Sequence, residues 1–185
     1  MQNINVFDYD ALFMTHTIPI AYLITFTCYG ARLHGDEAGS VDREHNFFNT
    51  PSLSPNSKRV SGNRKQMKQT LYELDGQCRI VVLETLQKVC SHRGWTLLAA
   101  HVRSTHVHFI VVAKEAPEKI LNDIKAYASR ALNRIDVSLQ NRRRWTRHGS
   151  TRYLWNSEQL GNAIHYVVRE QGAPMAVWEN INFMR

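Results

Sequence analysis

The first clear pattern is Ile20-Ala21-Tyr22-Leu23-Ile24-Thr25-Phe26-Thr27-Cys28-Tyr29, a β-branched and aromatic run closed by Gly30. Such a run reads as a strand. From Gln77 to about His92 the spacing turns helical. Ile80, Val81, Leu83, Leu86, Val89 and Cys90 recur at three and four, and Gly94 stands where a C-cap belongs. Trp95–Val102 and the run from Thr105 to Ala113 read as two further strands, joined by a tight turn at Arg103-Ser104-Thr105. Pro117 is placed to open a second helix, with Ile120, Leu121, Ile124, Tyr127, Ala128, Ala131 and Leu132 as its apolar stripe. A short strand at Tyr153-Leu154-Trp155 precedes a last helix that starts at Asn156 or Ser157 and stops at Gly172, with Pro174 beyond.

Strand, helix, strand, strand, helix, strand predicts an α+β fold of the ferredoxin-like, split βαβ kind. The expectation is an antiparallel sheet with helices on one face, plus an extra C-terminal helix. The chain, 1–185, reads as one domain whose core is 18–30 and 77–174. Residues 31–76, with their Gly, Pro, Asn and Ser, predict an irregular insertion, and 1–17 carry no clear pattern.

Two of these elements carry candidate chemistry. On the strand Thr105–Val112, alternation sends Val107, Phe109 and Val111 to the core and puts His106 and His108 together on the other face. Two imidazoles about 7 Å apart along a strand can hold one divalent metal if a third ligand arrives from elsewhere. The plain alternative is a pair of solvent-facing histidines. On the last helix, Leu160, Ile164, Val167 and Val168 form the apolar stripe. Tyr166 falls off that stripe, with Glu170 one turn beyond it on the same side. Glu170 is then the candidate third ligand and Tyr166 the candidate nucleophile, against a bland tyrosine at the edge of a core helix beside a solvated glutamate.

Charge narrows the partner. A formal net charge of +7 favours a polyanion. Arg142, Arg143, Arg144, Arg147 and Arg152 surround Trp145 in a loop that suits phosphate pairing with a stacking aromatic. Lys125, off the apolar stripe of its helix, joins them as a candidate nucleic-acid contact. A second basic run, with no acidic residue between Lys58 and Lys68, reads equally as solvated surface or phosphate contact. Three cysteines make neither a disulfide scaffold nor a Cys-x-x-Cys site, which suits reduced thiols and a cytoplasmic location. The longest apolar stretch, Ile18–Phe26, is too short and interrupted to span a bilayer, so no membrane partner is expected. No phosphate-binding Gly-x-x-x-x-Gly-Lys-Ser/Thr loop occurs, so no nucleotide cofactor is expected either.

His106-Val107-His108 after Val102-Arg103-Ser104-Thr105, the helix segment Leu121-Asn122-Asp123-Ile124-Lys125, and Tyr166 near the end resemble the single-tyrosine HUH transposases. They resemble most the REP-associated tyrosine transposases of bacteria, over about 18–30 and 77–174. The resemblance implies a homodimer acting on single-stranded DNA hairpins. It implies that His106 and His108 hold Mg²⁺ or Mn²⁺, and that Tyr166 attacks a DNA phosphodiester to leave a 5′-phosphotyrosine and a free 3′-hydroxyl. The rivals are a non-catalytic or domesticated hairpin-binding protein and a metal nuclease that uses water. Two departures stand out. The family commonly places Asn or Gln one turn after the tyrosine, where this chain has Glu170 and, one residue later, Gln171. The connection after the first strand is also long. Its His34-Gly35-Asp36-Glu37 and Asp42-Arg43-Glu44-His45 clusters are read as surface loop in preference to extra site residues.

Overall fold

A computed structural model describes residues 18–33, 35–36 and 54–183. The elements are β1 (Ala21–Thr27), α1 (Ser57–Gln66), α2 (Gly76–Arg93), β2 (Thr96–Val102), β3 (His106–Val112) and α3 (Pro117–Ile135). They continue with a 3₁₀ turn (Val137–Leu139), β4 (Ser150–Leu154), α4 (Ser157–Arg169) and β5 (Ala176–Glu179). The strands lie in the order β4-β1-β3-β2-β5, every neighbour antiparallel. The first four are the ferredoxin-like order, and β5 adds an edge beside β2. Residues 1–17 and the 42–45 cluster, with His34 and Glu37 of the other, lie outside the described residues.

Alternation decides which face each strand presents. Tyr22, Ile24 and Phe26 of β1 join Val107, Phe109 and Val111 of β3 in one core with Val82, Leu86 and Val89 of α2 and Ile120, Ile124 and Leu132 of α3. The opposite residues, Ala21, Leu23 and Ile110, form a second, smaller core with Ala163, Ile164 and Val167 of α4. The histidine face is therefore not open along its length, because α4 lies across it. Burying Ile164 and Val167 there contributes roughly 3–6 kcal/mol to holding α4 on the sheet.

One irregularity has consequences for the site. The β2–β3 register shifts between Leu97 and Ala99. A bulge of one residue reverses the faces of everything after it. Leu97 thus belongs to the α2/α3 core, while Leu98 and Ala99 both face α4. His101, paired with His108, then also turns to the α4 side.

Local signals explain the helix bounds. Asp75 caps α2 by accepting from Cys78 N–H at 2.7 Å, and Gly94 closes it at φ +70°. Asn156 caps α4 through Gln159 N–H at 2.9 Å. Gly149 is required where β4 meets β1, since a Cβ there would lie 2.6 Å from the Thr25 carbonyl oxygen. The insertion is not irregular throughout: α1, capped by Asn56, is a helix with no buried residue.

Candidate active site

His106 and His108 stand on β3 with ring centroids 4.9 Å apart. The turn before them is tied down twice, by Leu74 N–H donating to the Ser104 carbonyl (2.8 Å) and Cys28 N–H to that of Thr105 (2.7 Å). Each imidazole has a threonine hydroxyl at Nδ1: Thr25 Oγ1 is 2.7 Å from His108 and Thr105 Oγ1 is 3.1 Å from His106. With Nδ1–H donating to that hydroxyl, Nε2 keeps its lone pair free. Burial, with help from Arg32, Arg103 and His101, pushes His106 down to about 4. Burial, then His106, Arg32 and His101, pushes His108 to about 3. Both rings are neutral at physiological pH, the form that ligates a metal.

α4 brings the tyrosine to this pair. Ala163, Ile164 and Val167 point into the second core, which leaves Tyr166 on the flank, 40 % exposed, with its ring 5.6 Å from His108. The helix ends at Arg169, and Glu170 is its C-cap. From there the two candidate third ligands diverge. Glu170 turns outward to His165, with Oε1 2.9 Å from Nδ1 and the side chain 56 % exposed. Gln171 turns back, its Nε2–H donating to the Tyr166 carbonyl at 3.2 Å. Its side chain also reaches toward His106 and His108, where it acts weakly against burial to raise the pKa of both rings. Among the described residues no three His, Cys, Asp or Glu side chains gather into a metal-sized cluster. Of the two candidates, Gln171 is the side chain that acts on the rings of His106 and His108, while Glu170 is engaged by His165.

A model of the family described as "Transposase IS200 like" matches residues 64–167, more than half of the chain. The chain belongs to the IS200-like transposase family. Among solved structures it is similar to a REP-associated tyrosine transposase bound to a REP hairpin, at 12 % identity over 90 % of this chain and 70 % of that one, TM-score 0.45. It is also similar to a transposase-like protein of Deinococcus radiodurans R1, at 12 % identity over 90 % and 95 %, TM-score 0.43. No curated protein matches.

In this transposase-family chain a third histidine, not foreseen from the sequence, completes the geometry. His101 is fully buried. Its Nδ1 lies 3.0 Å from the Val167 carbonyl, to which it donates, and its Nε2 accepts from Met175 N–H at 3.3 Å. These partners fix a neutral Nδ1–H ring, in keeping with a pKa lowered mainly by burial. Next to it, Arg103 donates to the Ala173 carbonyl at 3.1 Å. Together they fasten the end of α4, and the turn carrying Gln171, to β2.

The arginine loop divides. Trp145 is no stacking platform: its ring meets Phe26 edge-to-face at 5.0 Å, and its Nε1–H donates to the Lys125 carbonyl and Ser129 Oγ. Lys125 is buried, with Nζ donating to the Thr146 and His148 carbonyls at 2.8 Å each. Arg144 is 3 % exposed with its guanidinium over Tyr72, and Arg142 donates to the Leu71 carbonyl and Thr70 Oγ1. All four side chains are engaged within the fold, which departs from the expectation that they face solvent. Arg144 and Trp145 turn inward where 144–146 extend the sheet beside β1, as the Cys28–Trp145 bridge and the Tyr29 N–H bond to the Arg144 carbonyl show. Arg143, Arg147 and Arg152 remain exposed. Among the described residues no helix is long and apolar enough to cross a membrane.

Proposed function

We propose that this chain cuts and rejoins single-stranded DNA by transesterification at Tyr166, using a divalent metal held by His106, His108 and Gln171. The observation that carries this reading is the juxtaposition of Tyr166 with the two neutral imidazoles, its ring 5.6 Å from that of His108. Two imidazole nitrogens and one amide oxygen suit Mn²⁺ somewhat better than Mg²⁺, and leave positions for phosphate oxygens. When bound, such a cation polarises the scissile phosphate and stabilises the charge that develops on it.

The chain's own residues do the rest. Tyr166 Oη attacks phosphorus and loses its proton as the bond to the 3′-oxygen breaks. The products are a 5′-phosphotyrosine and a 3′-hydroxyl, which takes up a proton. Attack of a 3′-hydroxyl on the phosphotyrosine reverses the step and joins a strand, so no nucleotide cofactor is consumed. Thr25 and Thr105 orient the histidines, while His101 and Arg103 fix the helix that carries the nucleophile. All of these groups come from one chain. A homodimer, as the family resemblance implies, would pair two complete sites.

The binding surface for a DNA hairpin, the ligand of the REP-associated neighbour, is the basic side of the molecule. Gln69 Nε2–H donates to the Asn141 carbonyl, and Arg143 N–H donates to Gln69 Oε1. These bonds join the exit of α1 to the arginine loop. Lys58, Arg59, Arg64 and Lys65 of α1 thereby share one surface with Arg143, and every one of them is exposed. Such a surface fits a phosphodiester backbone.

The test is incubation with labelled single-stranded hairpin DNA and Mn²⁺, followed by a denaturing gel. A shifted, protease-sensitive band that is lost in Tyr166→Phe is expected. Cleavage without an adduct would replace this reading with a water-using nuclease, and binding alone with a non-catalytic hairpin binder.

A further inference from the structure

Beside Tyr166 lies a cleft of about 480 Å³. Its floor is Leu23 and Thr25 of β1 with Ser150 and Arg152 of β4, and its wall is α4. On that wall Asn162, Tyr166 and Glu170 stand one turn apart in a single stripe. The β1–β4 register explains the floor: Ser150 pairs with Thr25 and Arg152 with Leu23, so all four face α4. Thr25 also holds His108, so the cleft and the metal-ligand pair share a residue.

The chemistry of the cleft is uneven. Arg152 is an exposed cation with no ion pair among the described residues. Asn162 is exposed, and its amide has no hydrogen-bond partner among them either. Glu170 is already engaged by His165. The volume falls within the roughly 300–1,000 Å³ typical of small-ligand sites. A guanidinium for a phosphate, a free amide for a base edge and an apolar floor at Leu23 are the parts a single unpaired nucleotide needs.

We propose that this cleft is the subsite for the unpaired nucleotide flanking the scissile phosphate, with Arg152 on its phosphate and Asn162 reading its base. A carboxamide offers one donor and one acceptor side by side, which matches the N6 and N7 edge of adenine. The subsite therefore prefers adenine, and Asn162 is a specificity-determining residue. This inference rests on the proposed single-stranded DNA reading, and its test is made independent of catalysis.

The measurement is fluorescence anisotropy of labelled dA15, dC15 and dT15 with the Tyr166→Phe protein at one fixed salt concentration. The expectation is that dA15 binds about fivefold to tenfold more tightly than dT15. Asn162→Ala should remove that preference while leaving dT15 within twofold. Asn162→Asp, which keeps the size but loses the donor, should remove it too, and Arg152→Ala should weaken all three alike. Equal binding of the three oligonucleotides, or a dA15 preference that survives both Asn162 variants, overturns the subsite. A covalent adduct in the wild-type protein alongside equal binding overturns the subsite alone. A dA15 preference abolished by Asn162→Ala, in a protein that never forms an adduct, keeps the subsite and removes the chemistry.

Discussion

Replacing His101 by Phe separates the holding of α4 from the stability of the sheet. The ring volume is nearly kept, so the cost comes from the polar partners rather than from a cavity. In the wild type Nδ1–H satisfies the Val167 carbonyl, and Nε2 takes the Met175 N–H. Phe leaves the buried Val167 carbonyl unsatisfied, at about 1–3 kcal/mol, and removes the part-buried bond from Met175 N–H, at about 1 kcal/mol, so roughly 2–4 kcal/mol together. That approaches the roughly 3–6 kcal/mol contributed by burying Ile164 and Val167, so α4 should loosen locally while β1 and β3 stay folded. Native-state hydrogen exchange reads this directly. Amides of α4 should exchange about 30- to 1,000-fold faster, at about 1.4 kcal/mol per decade, with the β1–β3 ladder little changed. Single-turnover adduct formation should fall in parallel, and His101→Asn, whose amide can still donate to the Val167 carbonyl, should recover part of both. Unchanged α4 protection with an unchanged adduct rate would refute the role given to His101.

Gln171→Ala should weaken Mn²⁺ binding, measured by calorimetry, by at least the tenfold to hundredfold that losing an outer-shell partner costs, whereas Glu170→Ala should change it less than about threefold. The opposite ranking would return Glu170 to the ligand set. Trp145→Ala should cost about 3–5 kcal/mol in urea unfolding, with little effect on DNA affinity of the folded protein. Arg143→Ala with Arg147→Ala should instead lower affinity and flatten the log–log salt dependence by about 1.4–1.8; an unchanged slope would take both off the interface. Lys125 is held by burial down to about 8, from 10.5. Between those values the unfolded chain binds the extra proton, so raising the pH from 8 to 10.5 adds up to about 3 kcal/mol of stability through this group. The stability difference between wild type and Lys125→Met should grow across that window, and a flat difference would show that Lys125 keeps its proton in the fold.

The strand and helix periods carried most of the fold, and the places where they failed share a cause. Alternation along Thr105–Val112 put His106 and His108 on one face because β3 is regular. The same rule applied to β2 from Leu97 sends His101 toward α2 and α3. The bulge at Leu97/Ala99 reverses that, and a lone bulge leaves no mark in the pattern of apolar residues. The short β5 escaped because four residues after a turn at Gly172 are too few to show a period. The α1 helix escaped because it buries nothing and so has no apolar stripe to read.

On the last helix the period was right and its extent was wrong. The wheel that placed Tyr166 and Glu170 together assumes a helix running to Gly172, and on that wheel Gln171 belongs to the apolar stripe. The helix in fact ends at Arg169, and Gly172 takes φ +74°. Past the last helical residue the 100° step no longer applies. Glu170 swings out to His165, and Gln171 folds back against the Tyr166 carbonyl and the two histidines. Composition failed in the arginine loop for a related reason. Charge tells which side chains prefer water, but 144–146 run strand-like beside β1, where Tyr72 and Phe26 receive the two side chains. Trp145 then fills the core while Arg144 is buried against Tyr72. A helix end and a strand extension are thus what send Glu170 and Gln171 in different directions and set Trp145 against Phe26.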